Sequence, residues 1–109
     1  MLVDLRTYTL KPGCTQDYLD RYERELLALQ QDHLGRMLGY FVSDSGILNQ
    51  VVHLWAYENA ADREKRRTAL WANQRYIEAA KSFYPLIQSQ ENKLLKPTSF
   101  STRLDLKLD

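Results

Sequence analysis

The chain has 109 residues, of which 27% are charged and 44% hydrophobic, and its formal net charge at pH 7 is +1. This is the composition of one globular domain, and a charge so near zero gives no support for nucleic acid or an anionic membrane as a partner. Cys14 is the only cysteine, which excludes an internal disulfide and a cysteine-cluster metal site, and no apolar run approaches the ~20 residues of a membrane span. We expect one cytoplasmic domain over residues 1–101, followed by a C-terminal tail over 102–109.

The first predicted strand and helix occupy the N-terminal third of the chain. Residues 2–10 alternate between two faces and include Thr, Val and Tyr, which predicts a strand that Pro12 and Gly13 end. A helix is expected from an N-cap at Thr15 to about His33, with Gly35 as its stop. Its buried stripe follows helical spacing and comprises Leu19, Tyr22, Leu26 and Leu29.

The middle of the chain predicts a β-hairpin. Residues 38–43 and 49–57 are rich in β-branched and aromatic side chains, and the sequence Asp-Ser-Gly at 44–46 between them is typical of a turn. Because the link is short, we expect the two strands to be antiparallel neighbours.

A second helical region follows the hairpin. One helix is expected over 59–70 and, after a break at Trp71-Ala72-Asn73, another over 73–82 with Asn73 as its N-cap. The buried face of this region is expected to comprise Leu70, Tyr76, Ile77, Ala80 and Phe83.

The last predicted strand completes the fold. Pro85 ends the helical region, and residues 86–95 form a fourth strand; residues 104–108 alternate, as a short edge strand or a disordered end would. The order β-α-β-β-α-β predicts an α+β, ferredoxin-like fold, in which one antiparallel sheet has its helices on a single face.

The predicted third strand carries different side chains on its two faces. One face is aliphatic, with Val52, Leu54 and Ala56, and we expect it to lie under the helices. The other face is aromatic, with His53, Trp55 and Tyr57, and the first strand adds Arg6 and Tyr8 to it. Three exposed aromatic side chains would present ~450–750 Å², whereas the largest patch on a typical monomer is ~300–600 Å². We therefore expect a second copy to cover the aromatic face in a barrel-like homodimer, unless a register slip of one residue reverses the faces.

Five segments, taken in order, resemble the NIPSNAP family. They are LRTYTLKPG at 5–13, LGYF at 38–41, GILNQVVHLWAY at 46–57, ADREKRR at 61–67 and QENKLLKPTSFS at 90–101. The resemblance implies a dimeric α+β barrel, a fold shared with cofactor-free monooxygenases, haem-degrading proteins, chlorite dismutase-like proteins and lactone isomerases. It supplies no agreed catalytic residues. Animal members are tied to mitochondria and vesicular traffic within longer chains, and this short form resembles a bacterial member. Residues 72–76 lack the Asp-Pro that members often have before an aromatic residue there. This difference bears on the predicted helix break and not on any chemistry.

The candidate site residues lie mainly on the predicted strands. His53 is the candidate catalytic residue, because imidazole titrates near neutral pH and can act as a general base; the alternative is a hydrogen-bonded structural histidine. Arg6 and Tyr8 are candidates for holding a carboxylate or phenolate, and the alternative is an interface ion pair of Arg6 with Glu91 or Asp4. Four aromatic side chains are candidates for lining a pocket around a planar ligand, or for simple packing: Tyr40, Trp55, Tyr57 and Trp71.

Metal and cofactor chemistry find little support in the sequence. No metal-ligand motif and no glycine-rich phosphate loop is present, and haem ligation would fall to His33 or His53, where a surface position of His33 is the simpler reading. Residues 62–67, DREKRR, are interpreted as a solvated helix face, with a partner-binding patch as the alternative. Cys14 is interpreted as a bystander. We expect no metal and no cofactor.

Two hypotheses of function remain. In the first, a homodimer binds a small, planar, anionic organic molecule beside the sheet and oxidises or isomerises it without a metal; Arg6 holds the anion and His53 moves a proton. In the second, the protein is a non-enzymatic binding or scaffold protein, and its aromatic sheet face is a dimer interface only. The sequence names neither the ligand nor a reaction, and it leaves open whether dimers associate further.

Overall fold

The computed structural model describes residues 1–101 and contains a four-stranded antiparallel sheet with strand order β2-β3-β1-β4. In chain order the elements are β1 (Leu2–Leu10), α1 (Thr15–Glu25), α2 (Leu27–His33), β2 (Arg36–Val42), β3 (Gln50–Tyr57), α3 (Ala60–Trp71), α4 (Gln74–Lys81) and β4 (Ile87–Leu95), with a 3₁₀ turn at Tyr84–Leu86. The predicted ferredoxin-like α+β fold is confirmed. The predicted edge strand at 104–108 lies outside the described residues. No helix within residues 1–101 combines the length and apolarity needed to cross a membrane.

The first predicted helix is two helices in the structure. Leu26, with φ −117°, separates α1 from α2. The predicted N-cap at Thr15 is wrong, because Cys14 occupies that position without a side-chain bond to the helix, and the Thr15 hydroxyl donates at 3.3 Å to the loop between β2 and β3. The break lets α2 turn so that its buried residue, Gln30, lies over the sheet.

The predicted break in the second helical region is confirmed. Asn59 Oδ1 accepts the backbone N–H of Asp62 at 2.8 Å, and Asn73 Oδ1 accepts that of Tyr76 at 3.2 Å, so α3 and α4 each begin at a side-chain cap. Trp71, the last residue of α3, meets the Tyr76 ring edge to face at 4.9 Å across the break. Of the predicted buried face, Leu70, Tyr76, Ala80 and Phe83 are buried and Ile77 is half-buried.

The predicted assignment of the sheet faces is wrong. Val51, His53, Trp55 and Tyr57 are only 0–3% exposed in the single chain, because its own helices cover them. The helices and the segment after α4 contribute Tyr18, Tyr22, Leu26, Leu70, Tyr76, Ala80 and Phe83 to the same core cluster. Val52 and Leu54, on the opposite face, are half-buried. The aromatic face is therefore not a dimer interface. The scaffold hypothesis assigned the interface to this face, and that part of it is wrong.

Strand register aligns the polar residues of the covered face in rows. Directly opposite positions from β2 to β4 form one row of Tyr40, His53, Arg6 and Asn92. The neighbouring row is Met37, Trp55, Asp4 and Leu94. An imidazole and a guanidinium thus stand side by side on the two central strands, beneath the helices.

Candidate functional site

A cavity of about 180 Å³ lies between the sheet and the helices. Strand residues that include Arg6, Tyr8, His53 and Trp55 form its floor, and helix residues that include Gln30, Arg67 and Tyr76 form its roof. Trp71 and Tyr84 also line it and are 39% and 55% exposed, so they mark its opening to solvent. Among the residues that the structure describes, no acidic side chain lines the cavity.

His53, which is 2% exposed, is held on three sides. The Trp55 indole N–H donates to His53 Nδ1 at 2.8 Å, Tyr40 stacks on the imidazole at 4.5 Å, and Tyr8 meets it edge to face at 4.9 Å between ring centroids. Because an indole nitrogen only donates, Nδ1 must be the unprotonated nitrogen and Nε2 must carry the proton. Nε2 is buried and has no hydrogen-bond partner among residues 1–101.

The environment keeps this imidazole neutral. Burial, and after it the neighbouring Arg6 guanidinium, lowers the pKa of His53 from 6.5 to about 3. A buried donor without a partner costs about 1–3 kcal/mol, so the Nε2–H is a place where a bound acceptor would be stabilised. A general base would need a free lone pair at Nε2 or a pKa nearer to neutral pH, and this arrangement provides neither.

Arg6 is fixed by a buried carboxylate. Its Nε donates to the Tyr8 hydroxyl at 3.1 Å and its Nη1 to Asp4 at 3.3 Å. Asp4 is fully buried and also accepts from Arg63 at 3.0 Å and from Asn92 at 3.1 Å. Burial raises the pKa of Asp4, but the bond from Asn92 and the two arginines outweigh it and hold the pKa below its usual value. Asp4, one of the two predicted partners of Arg6, therefore pairs with it inside one chain.

Arg67 adds a second guanidinium to the cavity wall. It extends from α3 and forms no hydrogen bond or ion pair with another residue of the described chain. Burial, and after it the nearby Arg6 and Arg63, lowers the pKa of Arg67. Arg6 and Arg63 share the carboxylate of Asp4, and Arg67 lies near both of them without a carboxylate of its own among the described residues, so positive charge is in excess here.

A hydrogen-bonded chain crosses the roof of the cavity. The Tyr22 hydroxyl donates to Gln30 Oε1 at 2.6 Å, and Gln30 Nε2 donates to the Tyr76 hydroxyl oxygen at 3.2 Å. Gln30 and Tyr76 are both buried and both line the cavity. Burial, the leading cause, raises the pKa of Tyr76, so its hydroxyl keeps its proton at neutral pH.

The structure brings together most of the residues that the sequence nominated. Five of them line the cavity: Arg6, Tyr8, His53, Trp55 and Trp71. Tyr40 lies behind His53 as its stacking partner, and Tyr57 is buried in the core but does not line the cavity.

The helical half of the site was missed by sequence reasoning. Arg67 lies in the run that was interpreted as a solvated face, of which Asp62 and Arg66 do form an exposed ion pair at 2.8 Å. Arg67 stands three residues before the buried Leu70, and Gln30 stands four residues after Leu26 of the predicted apolar stripe. These spacings placed both side chains near the buried face and were the available signal.

Metal ligands do not converge on this site. No group of three or more His, Cys, Asp or Glu side chains that could hold a metal ion occurs in the part of the chain that the structure describes. His33 lies at the end of α2 with its Nδ1 2.8 Å from the Leu29 carbonyl oxygen and does not line the cavity, so the two histidines do not converge on one ligand.

Comparison with known proteins gives consistent matches. The family model described as NIPSNAP matches residues 3–102. Protein NipSnap homolog 2 of Danio rerio is 33% identical over 96 residues, which are 88% of this chain and 33% of that protein. This chain spans only about a fifth to a third of the length of the first curated relatives that it matches.

Solved bacterial structures match over nearly their full length. Atu4242 from Agrobacterium tumefaciens, described as a NIPSNAP family protein with unknown function, is 40% identical with a TM-score of 0.91, and the match covers 94% of this chain and 98% of that one. A NIPSNAP-like domain protein from Burkholderia xenovorans is 44% identical with a TM-score of 0.88, covering 92% and 87%. A putative antibiotic biosynthesis monooxygenase from Nitrosomonas europaea, 11% identical with a TM-score of 0.67 over 89% and 98%, shares the fold.

Proposed function

The chain belongs to the NIPSNAP family, and from that premise and the geometry of its cavity we propose that it binds a small, planar, anionic organic molecule between its sheet and its helices. The observation that carries the proposal is the Nε2–H of His53, a buried donor without a partner in the wall of a cavity. A core without a ligand function would be expected to satisfy this group or to replace it.

The charge of the cavity supports an anion. Arg6 and Arg67 line it, and no acidic side chain of the described residues does. Arg6 is held by Tyr8 and Asp4 and is therefore oriented before a ligand arrives, which lowers the entropic cost of binding. Arg67 has no partner within residues 1–101 and is available to an incoming carboxylate or phenolate.

The size and walls of the cavity support a single planar ring. A cavity of about 150 Å³ holds benzene in a protein core. The volume here, about 180 Å³, accommodates one six-membered ring with small substituents. Trp55, Tyr8 and Trp71 supply aromatic faces against which such a ring would pack.

The protonation state of His53 limits the part it plays in any reaction of the ligand. A neutral imidazole with its proton on Nε2 can donate to a carbonyl or phenolate oxygen and polarise it. This replaces the proton-abstracting role expected from the sequence. A cofactor-free oxidation or isomerisation remains compatible with such an electrophilic donor, and binding without catalysis does as well.

Benzoate and benzyl alcohol provide the test, because they have nearly the same shape and differ in charge. We expect benzoate to raise the melting temperature in proportion to the logarithm of its concentration, and benzyl alcohol to have a much smaller effect. The Arg6→Gln variant should bind benzoate about 10- to 100-fold more weakly by calorimetry. Arg24→Gln removes a charge from an exposed position on α1 that does not line the cavity, and this variant should bind benzoate as the wild-type protein does.

The result that overturns the proposal is equally direct. If benzoate, hydroxybenzoates and aromatic diacids all leave the melting temperature of the wild-type protein unchanged, the cavity does not serve an aromatic acid. A non-enzymatic role in assembly would then be the better account.

The proposal includes a homodimer, formed through the open face of the sheet. Val52, Leu54 and Leu5 are half-buried there, and Phe41 of β2 is 58% exposed. By strand alternation Glu91 and Lys93 of β4 lie on this face as well, so that a two-fold axis can set opposite charges against each other. A cytoplasmic location stays a prediction from the sequence.

A further inference from the structure

We infer that the cavity has a second recognition point in its helical roof, formed by Gln30 and Tyr76, and that the ligand carries an oxygen acceptor on the side opposite its anionic group. This inference rests on the proposed function, since it specifies which planar anions the cavity takes. The ligand class is an aromatic acid with a carbonyl-type oxygen across the ring from the carboxylate.

The direction of the hydrogen bonds in the roof is the first step. Tyr22 donates its only hydroxyl proton to Gln30 Oε1, so the amide nitrogen of Gln30 is turned toward Tyr76 and donates to that hydroxyl oxygen. A tyrosine hydroxyl that accepts through its oxygen still has its own proton to donate. No acceptor for the Tyr76 proton exists among the described residues.

The uncommitted hydrogens are the second step. An amide nitrogen carries two protons, and Gln30 uses one of them on Tyr76. One N–H of Gln30 and the O–H of Tyr76 therefore remain, on two side chains that are 8% and 6% exposed and that both line the cavity. Donors at this depth are stabilised by an acceptor inside the cavity, because bulk water has little access to them.

The separation of the two groups of donors is the third step. Arg6 and His53 belong to the sheet, whereas Gln30 and Tyr76 belong to α2 and α4. A ligand with a single acidic group satisfies one wall and leaves the other unpaired. A ring that carries an acceptor at each end satisfies both walls, and a site with committed donors discriminates strongly against a molecule that lacks the matching acceptor.

A pair of ligands of the same shape tests the inference. 4-Acetylbenzoate carries a neutral carbonyl opposite its carboxylate, and 4-isopropenylbenzoate has nearly the same planar outline with a CH2 group in place of the oxygen. We expect the wild-type protein to bind 4-acetylbenzoate about tenfold more tightly by calorimetry. The Tyr76→Phe variant should reduce this ratio to about two or less, and Gln30→Met should reduce it as well.

The controls separate recognition from folding. Gln31→Met changes the exposed neighbour of Gln30 on α2, which does not line the cavity, and should leave the ratio unchanged. Binding of 4-isopropenylbenzoate, which needs no donor in the roof, reports whether each variant keeps an intact cavity. If the role of Tyr76 were purely structural, Tyr76→Phe would weaken the binding of both ligands equally.

Each outcome decides one statement. If the wild-type protein binds both ligands with equal affinity, or if Tyr76→Phe keeps the tenfold preference, the second recognition point is refuted while anion binding stands. If neither ligand nor benzoate binds, the proposed function itself fails and the inference falls with it.

Discussion

His53 acquires its properties from its immediate neighbours. Spacing of two residues along β3 puts Trp55 on the same face, and the indole, which can only donate, fixes the proton of His53 on Nε2. Burial and the positive charge of Arg6 then keep the ring neutral. A histidine predicted as a general base on its intrinsic pKa is thereby converted into a donor, and the conversion depends on depth of burial, which the local sequence does not contain.

The pH dependence of stability tests the state of His53. Its pKa is near 6.5 when unfolded and about 3 when folded, so the unfolded chain binds an extra proton between these values and stability falls as the pH falls. Below about pH 6 we expect wild-type protein to lose about 1.4 kcal/mol per pH unit more than His53→Gln, measured by urea unfolding. Asp4 titrates in both proteins, so its contribution cancels when their unfolding free energies are compared. Parallel profiles down to pH 4 would mean that the folded protein accommodates a protonated His53.

Asp4 is the residue on which the orientation of Arg6 depends. Asp4→Asn would leave Arg6 and Arg63 without the buried carboxylate that they share. We expect a loss of about 3 kcal/mol in unfolding free energy at pH 7, together with weaker binding of benzoate. Asp17→Asn, which breaks an exposed 3.7 Å pair on α1, should cost less than about 1 kcal/mol. Equal losses in the two variants would contradict a structural role for the buried network.

At the scale of elements, the sequence predicted the strands and one helix break but not which sheet face the helices cover. Periodicity, turn residues and Asn73 were local signals, and they placed β1 and the start of α4 correctly. The assignment of the faces depended on whether the chain's own helices or a second subunit covers the aromatic face. Aliphatic side chains were assigned to the core, whereas the helices bring Tyr18, Tyr22 and Tyr76, which pack on an equally aromatic sheet face. Only the pairing of distant elements decides this, and no short segment encodes it.

The link between α2 and β2 sets how closely the helices approach the sheet. Gly35 was expected to stop a helix, yet its φ is not positive, and a Cβ at this position would collide with the backbone carbonyl of Ala56 on β3. Because backbone cannot move aside as a side chain can, Gly35→Ala should cost about 3 kcal/mol in unfolding free energy. Gly46→Ala, in open space at φ +80°, should cost about 1 kcal/mol. A smaller loss at Gly35 than at Gly46 in denaturant titrations would refute the close approach.

At the scale of the whole molecule, the two faces of the sheet separate the two proposed functions, ligand binding and dimerisation. The covered face and the helices enclose the cavity within one chain, and the open face carries the proposed dimer contact. The sequence-based expectation tied both to a single aromatic face, so that ligand site and interface would have failed together. The observed arrangement separates them, since the cavity lies under the covered face and the proposed contact lies on the opposite face of the sheet.

This separation is testable with a variant that opposes dimerisation. Leu54 lies at the middle of the open face, opposite Leu5 on β1 and Gly39 on β2. A lysine there would place a charge in the proposed contact, so we expect Leu54→Lys to sediment as one subunit at micromolar concentration where the wild-type protein sediments as two. Ile47→Lys, in the loop between β2 and β3, serves as the control. The affinity of the monomeric variant for benzoate should stay within about twofold of wild type, because Leu54 and the cavity lie on opposite faces of the sheet. Loss of binding together with loss of the dimer would show that the partner subunit contributes to the site; a wild-type protein that sediments as one subunit would remove the homodimer and leave the cavity intact.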